Sequence, residues 1–184
     1  MKILVGITGS SGVIYGIRLV EVLSKMDQEV FLIISENAKR VMERESKKSI
    51  EEVESLVRES YDNDDLCSPP ASGSFLTDAT VIIPCSLKTL SAIANGYADT
   101  LISRAGICSL KEGRKTILVI RETPLDLSSL ENMVKAKKSG AIILPASPAF
   151  YHNPKRVEDL VDFIVGKVLD QLGLKHSLFK RWGQ

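Results

Sequence analysis

The sequence has 184 residues, a formal net charge of +1 and a hydrophobic fraction of 44%. That size and composition suit one domain spanning residues 1–184, with one core and a short C-terminal tail from about residue 174. The nearly cancelled charge and the lack of a long basic run give no field for nucleic acid or a membrane surface. The three cysteines, Cys67, Cys85 and Cys108, are odd in number and lack C-x-x-C spacing. They speak against a disulfide framework or a zinc site and fit a reducing cytoplasm. A strand is reached by Ile3, which leaves no room for a signal peptide, and no apolar run approaches membrane-spanning length.

In chain order, Lys2 to Ile7 reads as an apolar strand, Thr8 to Gly12 as a tight turn, and Val13 to Lys25 as a helix with apolar spacing. Glu29 to Ser35 is a second strand, followed by a helix from about Asn37. Ser49-x-x-Glu52 is a capping box that opens a helix to about Glu59. Tyr61 to Asp78 reads as a long polar loop. Ala79 to Ile83 is a third strand, broken by Pro84. Ser86 caps a helix to Asn95, stopped by Gly96. Lys115 to Ile120 is the fourth strand. Ser128-x-x-Glu131 opens a helix that stops at Gly140, and Ala141 to Leu144 is the fifth strand. Asn153-Pro154 starts a long helix ending at Gly173. Uninterrupted apolar strands alternating with helices predict an α/β fold, a Rossmann-like three-layer arrangement with a parallel sheet and helices on both faces.

Ligands in open α/β sheets bind at the carboxyl ends of the strands. There this sequence places Thr8–Gly12, Ser35, Pro84–Thr89, Arg121–Pro124 and Pro145–Tyr151. Gly9-Ser10-Ser11-Gly12 opens a helix and suits a mononucleotide phosphate, although it lacks both the dinucleotide fingerprint and a Walker lysine. Pro84-Cys85-Ser86-Leu87-Lys88-Thr89 is a second helix start rich in hydroxyls, and Ser35 can reach the same edge. Arg121-Glu122-Thr123-Pro124 ends its strand in an ion pair. Such a pair is most often a weak rim contact, but here the arginine could grip an anion while the carboxylate moves protons. Arg104 and Lys111 add positive charge. His152 and His176 are too few for a metal site, the acidic stretch Asp62–Asp65 lacks calcium-loop spacing, and no G-x-S-x-G elbow is present.

Taken together, Gly6–Gly12, Ser72-Gly73-Ser74-Phe75, Pro84–Leu90, Arg104–Lys111, Arg121–Leu125, Pro145–Tyr151, Asp170-Gln171-Leu172-Gly173 and Arg181-Trp182-Gly183 resemble the UbiX family of flavin prenyltransferases across nearly the whole chain. The resemblance implies transfer of a dimethylallyl group from dimethylallyl monophosphate to N5 and C6 of reduced FMN, without metal. The product, prenylated FMN, would serve a UbiD-type decarboxylase. It also implies a homo-oligomer, a dodecamer. By position, Gly9, Ser10, Ser11, Ser35, Ser86, Leu87, Lys88, Thr89 and Arg121 would hold FMN. Glu122 would be the acid/base residue, with Lys111, Arg104 and Ser11 around it. Tyr151, Lys167, Lys111, Arg121 and Trp182 would bind the prenyl phosphate. Many relatives carry arginine at the position of Lys167, so the charge survives here without the bidentate fork, and somewhat weaker phosphate binding is expected.

A helix from Pro154 would separate Tyr151 from Lys167 by roughly 20 Å at ~1.5 Å per residue. That predicts a site assembled between subunits, with the two residues coming from different chains. Two rival readings share the fold: a flavin-dependent cysteine decarboxylase, disfavoured because no histidine precedes His152, and a non-catalytic flavin carrier, which would leave Glu122 and Arg121 unexplained.

Overall fold

A computed structural model describes residues 1–183. Six strands form one parallel sheet: β1 Lys2–Ile7, β2 Glu29–Ile34, β3 Glu59–Asp62, β4 Ala79–Cys85, β5 Lys115–Ile120 and β6 Ile142–Pro145, in the order β3-β2-β1-β4-β5-β6. The helices are α1 Val13–Lys25, α2 Glu36–Glu45, α3 Ile50–Glu54, α4 Leu87–Asn95, α5 Leu101–Lys111, α6 Leu127–Lys138 and α7 Val157–Leu172.

The strands alternate between two cores, as period-two side chains require. Ile3, Val5 and Ile7 of β1, with Val81 and Ile83 of β4, bury against α1 and α7. Leu4 of β1, with Ile82 of β4 and Leu118 of β5, buries against α4 and α5. The predicted three-layer architecture is therefore the observed one. From β1 the chain builds outward through β2 and β3, then returns to the other side of β1 for β4, β5 and β6. The order reverses between β1 and β4, and this is where an open α/β sheet leaves a crevice.

Five local expectations need correction. The helix opened by Ser49 ends at Glu54, and Glu59–Asp62 is an edge strand rather than helix and loop. Pro84 does not break its strand: β4 continues to Cys85, with a shift of register against β5 between Ile82 and Cys85, the kind of irregularity that accommodates proline. Leu101–Lys111, left without an element by the sequence, is a helix capped by Thr100 and Ser103. Helix α6 is capped by Asp126 rather than Ser128. Helix α7 begins at Val157, where Asp159 accepts from the backbone N–H groups of Lys155 and Arg156 at 2.8 and 3.1 Å.

Candidate active site

The crevice at the sheet reversal is a cleft of about 310 Å³ lined by Thr8, Gly9, Ser35, Ser86, Lys88 and Thr89, together with Asn37, Asn63, Thr100 and Ser103. Three short contacts build it. Thr8 Oγ1 donates to the Pro84 carbonyl at 2.7 Å and accepts from the Ser86 N–H at 2.8 Å, tying the end of β1 to the start of α4. Ser10 Oγ donates to the Arg121 carbonyl at 2.8 Å, tying the same turn to the end of β5. Ser35 and Ser86 cap α2 and α4 by accepting from Ala38 N and Thr89 N. Three helix starts, α1, α2 and α4, thus present their N–H groups and positive dipole ends along one edge, which favours an anion.

Two features fit a phosphorylated ligand there. Gly12 caps α1 with φ of 93°, and a Cβ on it would lie 3.0 Å from the Tyr15 ring and 3.8 Å from Arg121 Cγ. Its N–H donates to the Glu45 carboxylate at 2.7 Å, so this helix start already draws an anionic group. Beside it, Arg121 Nε is buried with no hydrogen-bond partner among the described residues. A buried guanidinium nitrogen without a partner is costly unless a ligand supplies one.

The expected Arg121–Glu122 ion pair is not formed. Neighbouring side chains at a strand end point to opposite sides. The Glu122 carboxylate accepts from the Thr123 N–H at 3.1 Å instead, and it is only half-buried. Glu122 therefore keeps an oxygen available for proton transfer. Cys85, within the Pro84–Thr89 helix start, is fully buried, and burial pushes its thiol far above the usual range. It is a packing residue and not a nucleophile.

The remaining sequence-predicted residues lie outside this cleft. Arg104 Nε donates to the Ala71 carbonyl at 2.9 Å. Lys111, at the far end of α5, pairs with Glu112 at 3.0 Å. Tyr151, Lys167 and Trp182 gather on α7 and the tail. The Tyr151 ring meets Trp182 edge-on at 5.3 Å and Phe163 at 5.9 Å. Phe163 lies one helical turn before Lys167. The expectation that the helix holds Tyr151 and Lys167 roughly 20 Å apart therefore fails, because the loop after β6 folds Tyr151 back onto the middle of α7. Tyr151, His152, Arg181 and Trp182, with Lys180, line a second cleft of about 340 Å³, which shares no lining residue with the first. Lys115 Nζ, at the start of β5, donates to the Gln171 carbonyl at 2.6 Å. The C-terminal end of α7 thus lies at the amino edge of the sheet, opposite the first cleft.

The sequence reading missed Asn63, whose backbone and side-chain oxygens accept from Leu101 N at 2.7 Å and Ile102 N at 3.2 Å and so anchor α5 at the first cleft. It also missed Asp170, which binds Arg181, His176 and Lys167. Burial raises the Asp170 pKa, but hydrogen bonds from Arg181 and His176 outweigh it, and the carboxyl sits below its ordinary value of 3.8. A depressed carboxyl pKa contributes stability above the unfolded value and loses it as pH falls through the folded one. The tail should therefore stay docked from neutral pH down to 3.8 and release below that. Trp182, the single tryptophan, reports the release by fluorescence.

Three comparisons place this geometry. Residues 1–169 match the family model described as Flavoprotein. A flavin prenyltransferase UbiX of Methanocaldococcus jannaschii is 54% identical over 183 residues, covering 100% of this chain and 99% of that protein. The chain belongs to the UbiX family of flavin prenyltransferases. The fold superposes with a TM-score of 0.97 on AnUbiX (PadA1) in complex with FMN and dimethylallyl pyrophosphate, at 38% identity, covering 100% of this chain and 97% of that one. The same TM-score, 0.97, relates it to a dodecameric FMN-dependent UbiX-like decarboxylase from Escherichia coli O157:H7, at 43% identity over 100% of both chains. Membership makes this chain a prenyltransferase. Among the described residues no cluster of His, Cys, Asp and Glu is arranged to hold a metal ion, and no helix is long and apolar enough to cross a membrane.

Proposed function

We propose that this protein joins the dimethylallyl group of dimethylallyl monophosphate to N5 and C6 of reduced FMN. The allylic C–O bond would break with phosphate leaving as N5 bonds to the terminal allylic carbon and gives up its proton; the alkene CH would then take up a proton, and the tertiary carbon so activated would bond to C6, which loses its proton. The observation that carries this reading is the neighbourhood of the α1 start. An anion-seeking helix terminus lies beside a buried Arg121 Nε without a partner, and the next residue, Glu122, carries a carboxylate that makes no ion pair with it.

Gly9, Ser10, Ser11, Ser35, Ser86, Leu87, Lys88, Thr89 and Arg121 would hold the flavin, whose nucleophilic N5 and C6 are the chemistry it supplies when bound. Backbone N–H groups of the Gly9–Gly12 turn and the Arg121 guanidinium suit its phosphate. Lys167, Tyr151, Arg104 and Lys111 would hold the prenyl phosphate and stabilise the negative charge that grows on it as the C–O bond stretches. The Tyr151 and Trp182 rings offer electron-rich faces to an allylic cation. A Glu122 oxygen would take up the proton released at C6 or hand one to the departing phosphate.

Within one chain these parts are split. The flavin cleft sits at the carboxyl edge of the sheet, and the Tyr151–Lys167–Trp182 cluster lies on α7 toward the other edge. The assignment therefore requires one chain's cluster to complete another chain's flavin cleft. This keeps the intersubunit site but groups Tyr151 and Lys167 on the same subunit. A dodecamer, a UbiD-type decarboxylase as recipient of the product, and a cytoplasmic location complete the proposal. Anaerobic incubation with reduced FMN and dimethylallyl monophosphate should release one inorganic phosphate for each FMN consumed. Phosphate release without flavin consumption would reject the reading.

A further inference from the structure

The tail is fastened to α7 through one carboxylate. Asp170 Oδ1 accepts from Arg181 Nη2 at 2.7 Å and meets His176 Nε2 at 3.1 Å. Its Oδ2 accepts from Arg181 Nη1 at 3.2 Å and from Lys167 Nζ at 3.4 Å. His176 Nδ1 accepts from the Leu178 N–H at 3.2 Å, so the ring proton is on Nε2, aimed at Asp170. Phe179 then packs on Phe163 at 4.8 Å, and Trp182 lies against Tyr151. Phe179 also packs against His176 and Arg181, the two tail groups held by Asp170.

The cluster has cationic surplus. Among the described residues Lys167 and Arg181 share the Asp170 carboxylate, and Lys180 lines the adjoining cleft. Lys167 and Arg181 keep 42% of their side-chain surface exposed while Asp170 keeps 19%. In the adjoining cleft both ring nitrogens of His152 are buried with no hydrogen-bond partner among the described residues. A cleft with exposed cations and unsatisfied imidazole nitrogens suits an oxyanion ligand.

We propose that Asp170 is the positioning residue of the phosphate subsite: it holds Lys167 and Arg181 side by side, and Arg181 thereby becomes a second phosphate ligand. This inference rests on reading the Tyr151–Lys167–Trp182 cluster as the prenyl phosphate subsite. Arg181 supplies the planar fork that Lys167 lacks. It reaches the position only because its chain segment is tied down at Asp170.

The alternative role for Asp170, a plain counter-ion competing with phosphate for the same cations, has the opposite sign. Under it, neutralising the carboxylate tightens phosphate binding. Under the positioning role, binding weakens because two cations lose their common anchor. The test titrates inorganic phosphate and dimethylallyl monophosphate into the full-length protein and follows Trp182 fluorescence. Asp170→Asn should weaken both about tenfold, the factor that corresponds to 1.4 kcal/mol. KM for the prenyl phosphate should rise in the same ratio, with kcat within about twofold and FMN affinity unchanged, and Asp170→Glu should recover part of the loss. Equal or tighter phosphate binding in Asp170→Asn would overturn the inference. Should that variant fail to fold, Arg181→Lys decides, since it keeps the charge and loses the fork. Weaker phosphate binding with intact FMN binding is expected, and unchanged affinity rejects the proposal. Phosphate binding that depends on Asp170 in a protein unable to prenylate FMN would reject the proposed function and leave this inference standing. Prenylation with phosphate binding indifferent to Asp170 would do the reverse.

Discussion

Replacing Glu122 by glutamine should lower the rate of flavin prenylation about 10²- to 10⁴-fold, the range that a positioned acid/base group contributes, while FMN still binds. Glu122 follows β5 directly and takes one backbone N–H, from Thr123. It makes no ion pair with its neighbour Arg121, whose Nε is buried and free for a ligand. Glutamine keeps the size and can keep the contact to Thr123 N–H through its amide oxygen, so the turn survives and only proton transfer is removed. Stopped-flow measurement of the flavin spectrum, with FMN affinity measured separately, distinguishes the two effects. A loss of FMN binding that parallels the loss of rate would make Glu122 a binding residue.

Gly16→Ala should lower global stability and weaken flavin binding together. Helix α1 crosses the sheet where β1 and β4 meet. A Cβ at Gly16 would overlap the Ile83 carbonyl and lie 2.9 Å from Ile7 Cδ1. Alanine gains about 1 kcal/mol over glycine in a helix interior. Against that stands the overpacking of a filled core, typically 1–3 kcal/mol, and here the obstacle includes a backbone oxygen that cannot rotate away. The steric term wins, and the helix must lift. Its first turn then moves away from Ser10 and Arg121, so the flavin cradle is disturbed without any direct contact being removed. Denaturant unfolding should show a lower midpoint, and flavin titration a raised Kd. A midpoint equal to or above that of the unaltered protein would show that the helix adjusts freely.

The parts of this account that could be read from sequence are those set by local pattern. Strands such as β5 carry an uninterrupted apolar run, Ile117–Ile120, because both faces are buried there, and Ser86 and Gly96 bracket α4 by their cap chemistry alone. The anion-seeking turn at Gly9–Gly12 was legible for the same reason. Strand β3, Glu-Ser-Tyr-Asp, was not: it lies at the sheet edge, stays partly exposed and carries no apolar run. Helix α5 was hidden because much of its buried face is small, with Ser103, Ala105, Gly106 and Ser109, and its cap pairs Thr100 with serine instead of a glutamate. The Asp170 hub and the return of Tyr151 onto Phe163 depend on contacts between distant chain segments, which periodicity does not encode. Treating α7 as a ruler failed for that reason: the loop before it doubles back, and helix length does not set the distance.

The measurement that most directly tests the central claim is the mass of the flavin released after anaerobic incubation of the protein with reduced FMN and dimethylallyl monophosphate. A gain of one five-carbon prenyl unit, absent in the Glu122→Gln protein, is the predicted result. FMN recovered at its original mass from a protein that demonstrably binds it would contradict the account.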